Sequence, residues 1–453
     1  MRKVIILVLL VFSFTACGDS YDVTDLDSSY TADDVDEYEH IEIIRDLGGR
    51  EIRIAAAWAY LPFTTGGVEP NRASSLNYTL DRAIYDQIQL SSVQYNVVLT
   101  ALHIDHNMIM PTLEASVAAG APFADMVLLA GEMVLPAITG DLIYALEEFT
   151  TQADFFGTEG FPRATSEFAG FHWTIAPYAM TFDGTFLGVN LDIVRSIREE
   201  NPVTSYDSGY WTYERFMEIM QAAVDAGYYG ISGIPGDIIS HLVASNGGAF
   251  VNPNFTVDYN NPRTIEAFDI AGQIFADGLW QTGKGYHNFH GNLFAFMDGQ
   301  SLFFPLSVWV VREENIPFPF AVVPFPKGAE GDGSYSFMRG FDMGLAIPRG
   351  TPNPADVLTV FESISVFAEE RDRTYVAGIF RTERDGNRAM GILQEQGKFD
   401  ISMSIPQFHW MYGIMAQEFA NGNWNGRTAA NRVLRPQQEV LDGALGLWYT
   451  VMN

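Results

Sequence analysis

Pairs of neighbouring acids, Glu147-Glu148, Glu199-Glu200, Glu313-Glu314 and Glu369-Glu370, have the residue type of a general acid and base. Neighbours point about 100° apart on a helix and to opposite faces of a strand, so such a pair does not flank one bond and reads as solvated surface. Two carboxylates distant in sequence can still meet across a cleft, which leaves glycoside hydrolysis open. His103-Ile104-Asp105-His106, and His287 with His290, could seed a metal site. Neither has a third ligand at a standard spacing, so no metal site and no cofactor are expected. The sequence has no phosphate-cradling Walker loop and no G-x-S-x-G nucleophile elbow.

The elements that must position any such groups begin with an export signal. Arg2 and Lys3 precede an unbroken apolar run from Val4 to Phe12, and Ser13 to Cys17 ends in small residues and the single cysteine of the chain, the layout of a secretory signal. A helix of that run is about 14 Å long against about 30 Å for a bilayer core, so cleavage is expected rather than a permanent span. The segment resembles a bacterial lipoprotein signal, cut before Cys17, with Thr15 and Ala16 fitting the pattern and Cys17 carrying acyl chains as the new N-terminus. A plainly secreted protein with a cysteine near the cut is the alternative. Durable anchoring takes more than one chain, and the mature protein is expected to be extracytoplasmic, held to the cell membrane by its N-terminal lipid. From Asp19 to Asp46 many acids face one base, Arg45; such a stretch repels itself and reads as an extended tether.

The chain of 453 residues, 47% hydrophobic, has room for two or three domains. Its net charge of -30 repels phosphate backbones, so nucleic acid is excluded as a partner. Beyond Cys17 no cysteine remains for an intrachain disulfide. The pattern Glu51 to Ala57 reads as a strand ending at Trp58, followed by a helix with Leu76, Leu80, Ala83, Ile84 and Ile88, a strand from Tyr95 to Thr100, a helix with Ile109, Leu113 and Val117, and a strand from Asp125 to Leu129. Strands alternating with helices imply a parallel sheet covered on both faces, with ligands beyond its C-terminal edge, where Trp58, Glu132 and the loop after Ala130 fall. Residues 170–178 and 184–190 read as two short strands around a turn at Asp183. Thr212 is a good N-cap for a helix burying Phe216, Ile219, Met220 and Ala223. Asn261-Pro262 opens another, stopping at Gly278. Strands are expected at 301–306, 321–323 and 343–348, with a mostly helical remainder.

This ordered set resembles the extracellular solute-binding proteins of ABC importers, specifically the group that binds sugars and oligosaccharides. The residues that carry the likeness are Gly48-Gly49-Arg50 with the strand to Trp58, Ala124-Asp125-Met126-Val127, Gly188-Val189-Asn190, and Gly209 to Phe216. Further along they are Asn261-Pro262 to Trp280, Phe296 to Ser301, Pro324-Phe325-Pro326-Lys327-Gly328, and Ala346-Ile347-Pro348. The resemblance implies an α/β, two-lobed periplasmic-binding-protein-like fold with a ligand cleft between lobes joined by crossing strands. It implies a non-catalytic monomer that passes a carbohydrate ligand to the importer's membrane subunits. The expected division is signal 1–16, tether 17–47, first lobe 48–182 and 299–342, and second lobe 183–298 and 343–453. Crossings are expected near Met180 to Thr185, Asp298 to Leu302 and Gly340 to Ile347.

For such a ligand, flat aromatic faces cover the C–H faces of sugar rings while carboxylates and amides bond the hydroxyls. Most aromatics are core wherever they occur, and Trp211 and Trp280 read as packing. Trp58, Trp173, Trp309 and Trp410 are the aromatic candidates, with Asp183, Asp342, Glu132 and Asn246 as polar ones. Arg339-Gly340-Phe341-Asp342 equally reads as a solvated turn with an internal ion pair. The rival functions are a surface-anchored glycoside hydrolase and a binding protein for a peptide or metal ion. Replacing Cys17→Ser is expected to abolish incorporation of labelled fatty acid and move the protein from the membrane fraction to the supernatant; unchanged partitioning would refute acylation at Cys17.

Overall fold

The computed structural model describes residues 43–57, 78–150, 166–175, 184–280, 289–313, 315–364, 379–380, 382–395, 397–405, 408, 415, 418–419 and 421–452. Among them run the strands β1 (Arg50–Ala56), β2 (Val97–His103), β3 (Met126–Leu129), β4 (Glu167–Phe168), β5 (Phe171–His172), β6 (Thr185–Asn190), β7 (Tyr229–Ile231), β8 (Ser301–Ser307), β9 (Phe320–Val323), β10 (Phe337–Arg339), β11 (Gly344–Ala346) and β12 (Gly397–Phe399).

Two four-stranded sheets organise the described chain. In the first, ordered β11-β3-β1-β2, β1 lies parallel to both neighbours, with Ile54 opposite Ala101 and Met126. β11 closes its far edge antiparallel, Leu345 against Leu128. The period-two alternation of β1 sends Ile52, Ile54 and Ala56 to one core, shared with the helices Tyr78–Tyr95 and Pro354–Ile364, and Ala55 to the other, shared with Ile109 and Leu113. Burial on both faces is what its apolar strands require.

The second sheet is ordered β7-β8-β6-β9. β8 is central, parallel to β7 and antiparallel to β6. Leu187 and Val189 face the helices Tyr213–Asp225 and Pro235–Ser245, while Phe186, Phe304 and Leu306 face Phe289–Met297 and Glu383–Glu395. Local signals fix where these helices start. The Thr212 side chain accepts the Arg215 amide, and Asn261 accepts that of Arg263 with Pro262 at the first helical position. Trp211 is fully buried and donates its indole N–H to the Pro324 carbonyl at 2.8 Å, a packing role.

The sheets correct the division expected from the sequence. Residues 299–342 do not return to the first lobe: β8 and β9 bond to β6 of the second sheet. The return comes with β11, and the helix Pro354–Ile364 then packs on the first sheet, so the start of 343–453 belongs to the first lobe. An all-apolar run such as β8 declares burial on both faces but not which strand lies beside it. Likewise β5 pairs with β4 in a hairpin, while residues 185–190 sit in the other sheet. Ile175 bridges to Leu345 in the first sheet and Thr185 opens β6 in the second; of the crossing expected at Met180 to Thr185, residues 180–183 lie outside the described residues.

The C-terminal chain ties the lobes together. β12 pairs parallel with β10. Lys398 Nζ donates to the Gly247 and Gly248 carbonyls, and the buried Asp400 carboxylate accepts the Phe250 amide at 2.7 Å and those of Val251 and Ser402. The short helix Ile401–Ser404 lies against Gly131–Thr139 of the first lobe. The last helix, Gly426–Met452, packs along Pro262–Ala276 of the second lobe and also against Gly131–Thr139. It contains Pro436, and the next residue, Gln437, is fully buried with no protein hydrogen bond to its amide.

Burial raises the Asp400 carboxyl above its ordinary 3.8, outweighing the hydrogen bonds that Ser402, Val251 and Phe250 donate to it. A raised folded value means that the ionised form carries a cost in the fold, which is relieved as pH falls through that value towards 3.8. Compared with Asp400→Asn, which does not titrate, the natural protein should therefore gain relative stability on acidification, measured by urea unfolding across pH; a pH-independent difference would contradict this.

Candidate ligand-binding cleft

Both sheets end at one cleft of about 270 Å³. On the first-lobe side, β3 runs directly into Gly131–Thr139, whose first turn carries Glu132 and whose N-cap, Ala130, offers no side-chain cap. On the second-lobe side, β7 leads to Pro235–Ser245, with Ile234 as an equally uncapped N-cap, Asp237 in the first turn and His241 one turn on. Each of these helix first turns thus brings a carboxylate to the same space, and the second helix begins on Pro235, which has no N–H to offer. Thr185, Pro305 and Ser307 continue the wall from β6 and β8.

The floor is the crossing segment 338–342. Met338 donates its amide to His241 Nδ1 at 3.2 Å, and the His241 ring lies 5.0 Å from that of Phe325. Because Nδ1 accepts, the imidazole is neutral in this geometry and its hydrogen is on Nε2. Arg339 reaches Asp342 at 3.1 Å, and the Asp342 carboxylate is largely buried. Phe341 lines the cleft, donates its amide to Ser404 Oγ at 2.7 Å and packs edge-on against Phe168 and tilted against the half-exposed Phe399. Gly131 is required where the helix meets this floor, since a Cβ there would overlap the Phe341 carbonyl oxygen.

The structure brings Glu132 and Asp342, both anticipated, into one lining, and the Glu132 carboxylate also lies 3.4 Å from His106 Nε2. The Arg339-to-Asp342 stretch carries its internal ion pair and is also part of the floor. Trp173 is placed in the core, its indole N–H on the Phe168 carbonyl. Asn246 is buried at a helix end, bonding the Arg263 carbonyl, Glu266 and the Gly328 amide, away from the lining. Trp58, Asp183, Trp410, Cys17 and the Trp309 side chain lie outside the described residues. Asp237 and His241 were not singled out from the sequence, and Arg339 was named only within the turn that holds an internal ion pair; Pro235 at a first helical position after Gly233 was the signal for the helix start that carries the first two.

No protein-family model matches the sequence, and no curated protein matches it. Solved structures do. A cyclic alpha-maltosyl-1,6-maltose binding protein from Arthrobacter globiformis superposes with a TM-score of 0.64 at 14% identity, covering 87% of this chain and 100% of that one. The sugar-binding protein MalE of Xanthomonas citri gives 0.64 at 13% identity over 88% of this chain and 99% of its own. The GacH receptor of Streptomyces glaucescens, solved unliganded and with acarbose, gives 0.59 at 12% identity over 87% and 99%. The chain has the two-lobed binding-protein fold. In that fold the cleft between the sheets is the space that a ligand can touch from both lobes at once, and here Glu132 and Asp237 stand on its opposite walls.

Gly131→Ala is expected to cost about 2 kcal/mol of stability through overpacking against the crossing segment. Chemical unfolding measures it, and an unchanged midpoint would show that the helix start and the floor are not in close apposition.

Proposed function

We propose that the chain is a lipid-anchored extracytoplasmic receptor that captures a sugar or oligosaccharide and delivers it to the membrane subunits of an ABC importer. The observation that carries this reading is that each wall of the cleft brings a carboxylate from the first turn of a helix, Glu132 and Asp237, to a space that Thr185, Ser307 and His241 also line. Such a lining sets carboxylate acceptors beside hydroxyl and imidazole groups, and the group that uses donors and acceptors together is a hydroxyl, donor and acceptor at once. A ligand rich in hydroxyls satisfies both walls. The neighbours in fold support the same chemistry: one binds cyclic maltosyl-maltose, another acarbose, another is named as a sugar-binding protein.

Glu132 and Asp342 are proposed as ligand contacts, joined by Asp237 and His241, with Phe341 as an apolar surface of the cleft. Trp58, Asp183, Trp309 and Trp410 stay proposed as further contacts, and Cys17 as the lipidation site. No catalytic step is assigned. Closure follows from linkage: a ligand that touches both lobes favours the arrangement in which both reach it. No helix among the described residues is long and apolar enough to cross a membrane.

Thermal melting against maltose-series, chitin-series and monosaccharide panels is expected to give a saturable rise in midpoint with at least one sugar, by mass action on the folded state. Chromatography of the same mixtures should recover the sugar uncut. Release of shorter products would favour a hydrolase, and a melt insensitive to every sugar would refute the receptor.

A further inference from the structure

We infer that His106 is a positioning residue of the cleft: through Nε2 it holds one oxygen of the Glu132 carboxylate, so that the other is presented to a hydroxyl of the sugar. The inference rests on the sugar-receptor reading and deepens it, adding a residue that acts without touching the ligand. The His103-Ile104-Asp105-His106 motif has the residue types of a metal seed, yet no group of three or more His, Cys, Asp or Glu among the described residues could hold an ion. One of its members serves the cleft instead.

The two residues meet because the elements that carry them leave the first sheet at the same edge. β1 lies parallel to both β2 and β3; β2 ends at His103, the Ile104 amide still bonds the Ala56 carbonyl at 3.1 Å, and His106 opens the short helix His106–Met108. β3 leads into Gly131–Thr139, with Glu132 in its first turn. The turn under His106 is fixed from within, since the Asp105 carboxylate accepts the Asn107 amide and the Asp105 carbonyl accepts that of Met108, both at 2.9 Å. His106 Nε2 then stands 3.4 Å from Glu132 Oε1. A carboxylate only accepts, so the contact is favourable with the hydrogen on Nε2, a condition that the imidazolium and one neutral tautomer both meet. Both side chains keep partial access to solvent, so the pair adds little to the stability of the fold. Its effect is on direction: a flexible glutamate that is already held loses less freedom when a ligand arrives, and binding is tighter by that difference.

The sugar of the panel above that raises the melting midpoint most is titrated calorimetrically into the full chain and its variants. His106→Ala is expected to weaken binding about three- to tenfold. His106→Gln, whose side-chain N–H can stand in for Nε2, should recover most of the loss. On a Glu132→Ala background His106→Ala should cost nothing more, and the melting midpoint without sugar should barely move. No loss on His106→Ala, or a loss that persists in full without Glu132, would overturn the inference and leave the receptor standing. A crystal structure of the unsubstituted protein with the sugar bound needs no variant to fold. It should show one Glu132 oxygen on a sugar hydroxyl and the other within hydrogen-bonding distance of His106 Nε2; a carboxylate that leaves His106 to reach the sugar, or does not reach it, would overturn the inference. Failure of every sugar to bind would overturn the receptor reading and this one with it.

Discussion

The antiparallel pairing of β11 with β3 is the constraint on which the architecture turns. By adding the returning chain to the edge of the first sheet, it obliges residues 324–343 to leave the second sheet and pass beneath both lobes. The short stretch that makes the passage, Met338 to Asp342, is consequently in reach of a helix from each side: its amide at Met338 meets His241, and its carbonyl at Phe341 meets the start of Gly131–Thr139. A floor held at both ends by backbone contacts is a firm base for side chains that must act together.

Where the sequence speaks locally, it was readable. Thr212 and Asn261 cap the helices they were expected to cap, because an N-cap is settled within four residues. The strands β1, β3 and β6 lie where alternation or an apolar run put them. Glu132 and Asp342 were identified as polar residues at a strand end and a crossing, and both line the cleft.

What could not be read depends on partners far along the chain. The strands β10 and β12, three residues each, leave no periodic trace, and their pairing brings residue 337 against residue 397. The membership of β8 and β9 was assigned to the wrong lobe because buried strands look alike from either sheet. Trp173 resembled a cleft aromatic in sequence, yet its indole N–H closes the small hairpin beside it instead. The second-lobe wall was overlooked because β7, only Tyr229–Ile231, is too short to announce that a ligand-facing helix follows.

The final helix, shared between Pro262–Ala276 and Gly131–Thr139, acts as a strut bolted to both halves. If one half rotates against the other, this strut must slide, detach or flex. Pro436 deprives one turn of its backbone bond, and the adjoining Gln437 gains nothing from its buried amide, so flexing is least resisted there. The molecule thus carries, on the element that binds its halves, a soft spot comparable to a score line in a stiff sheet of card.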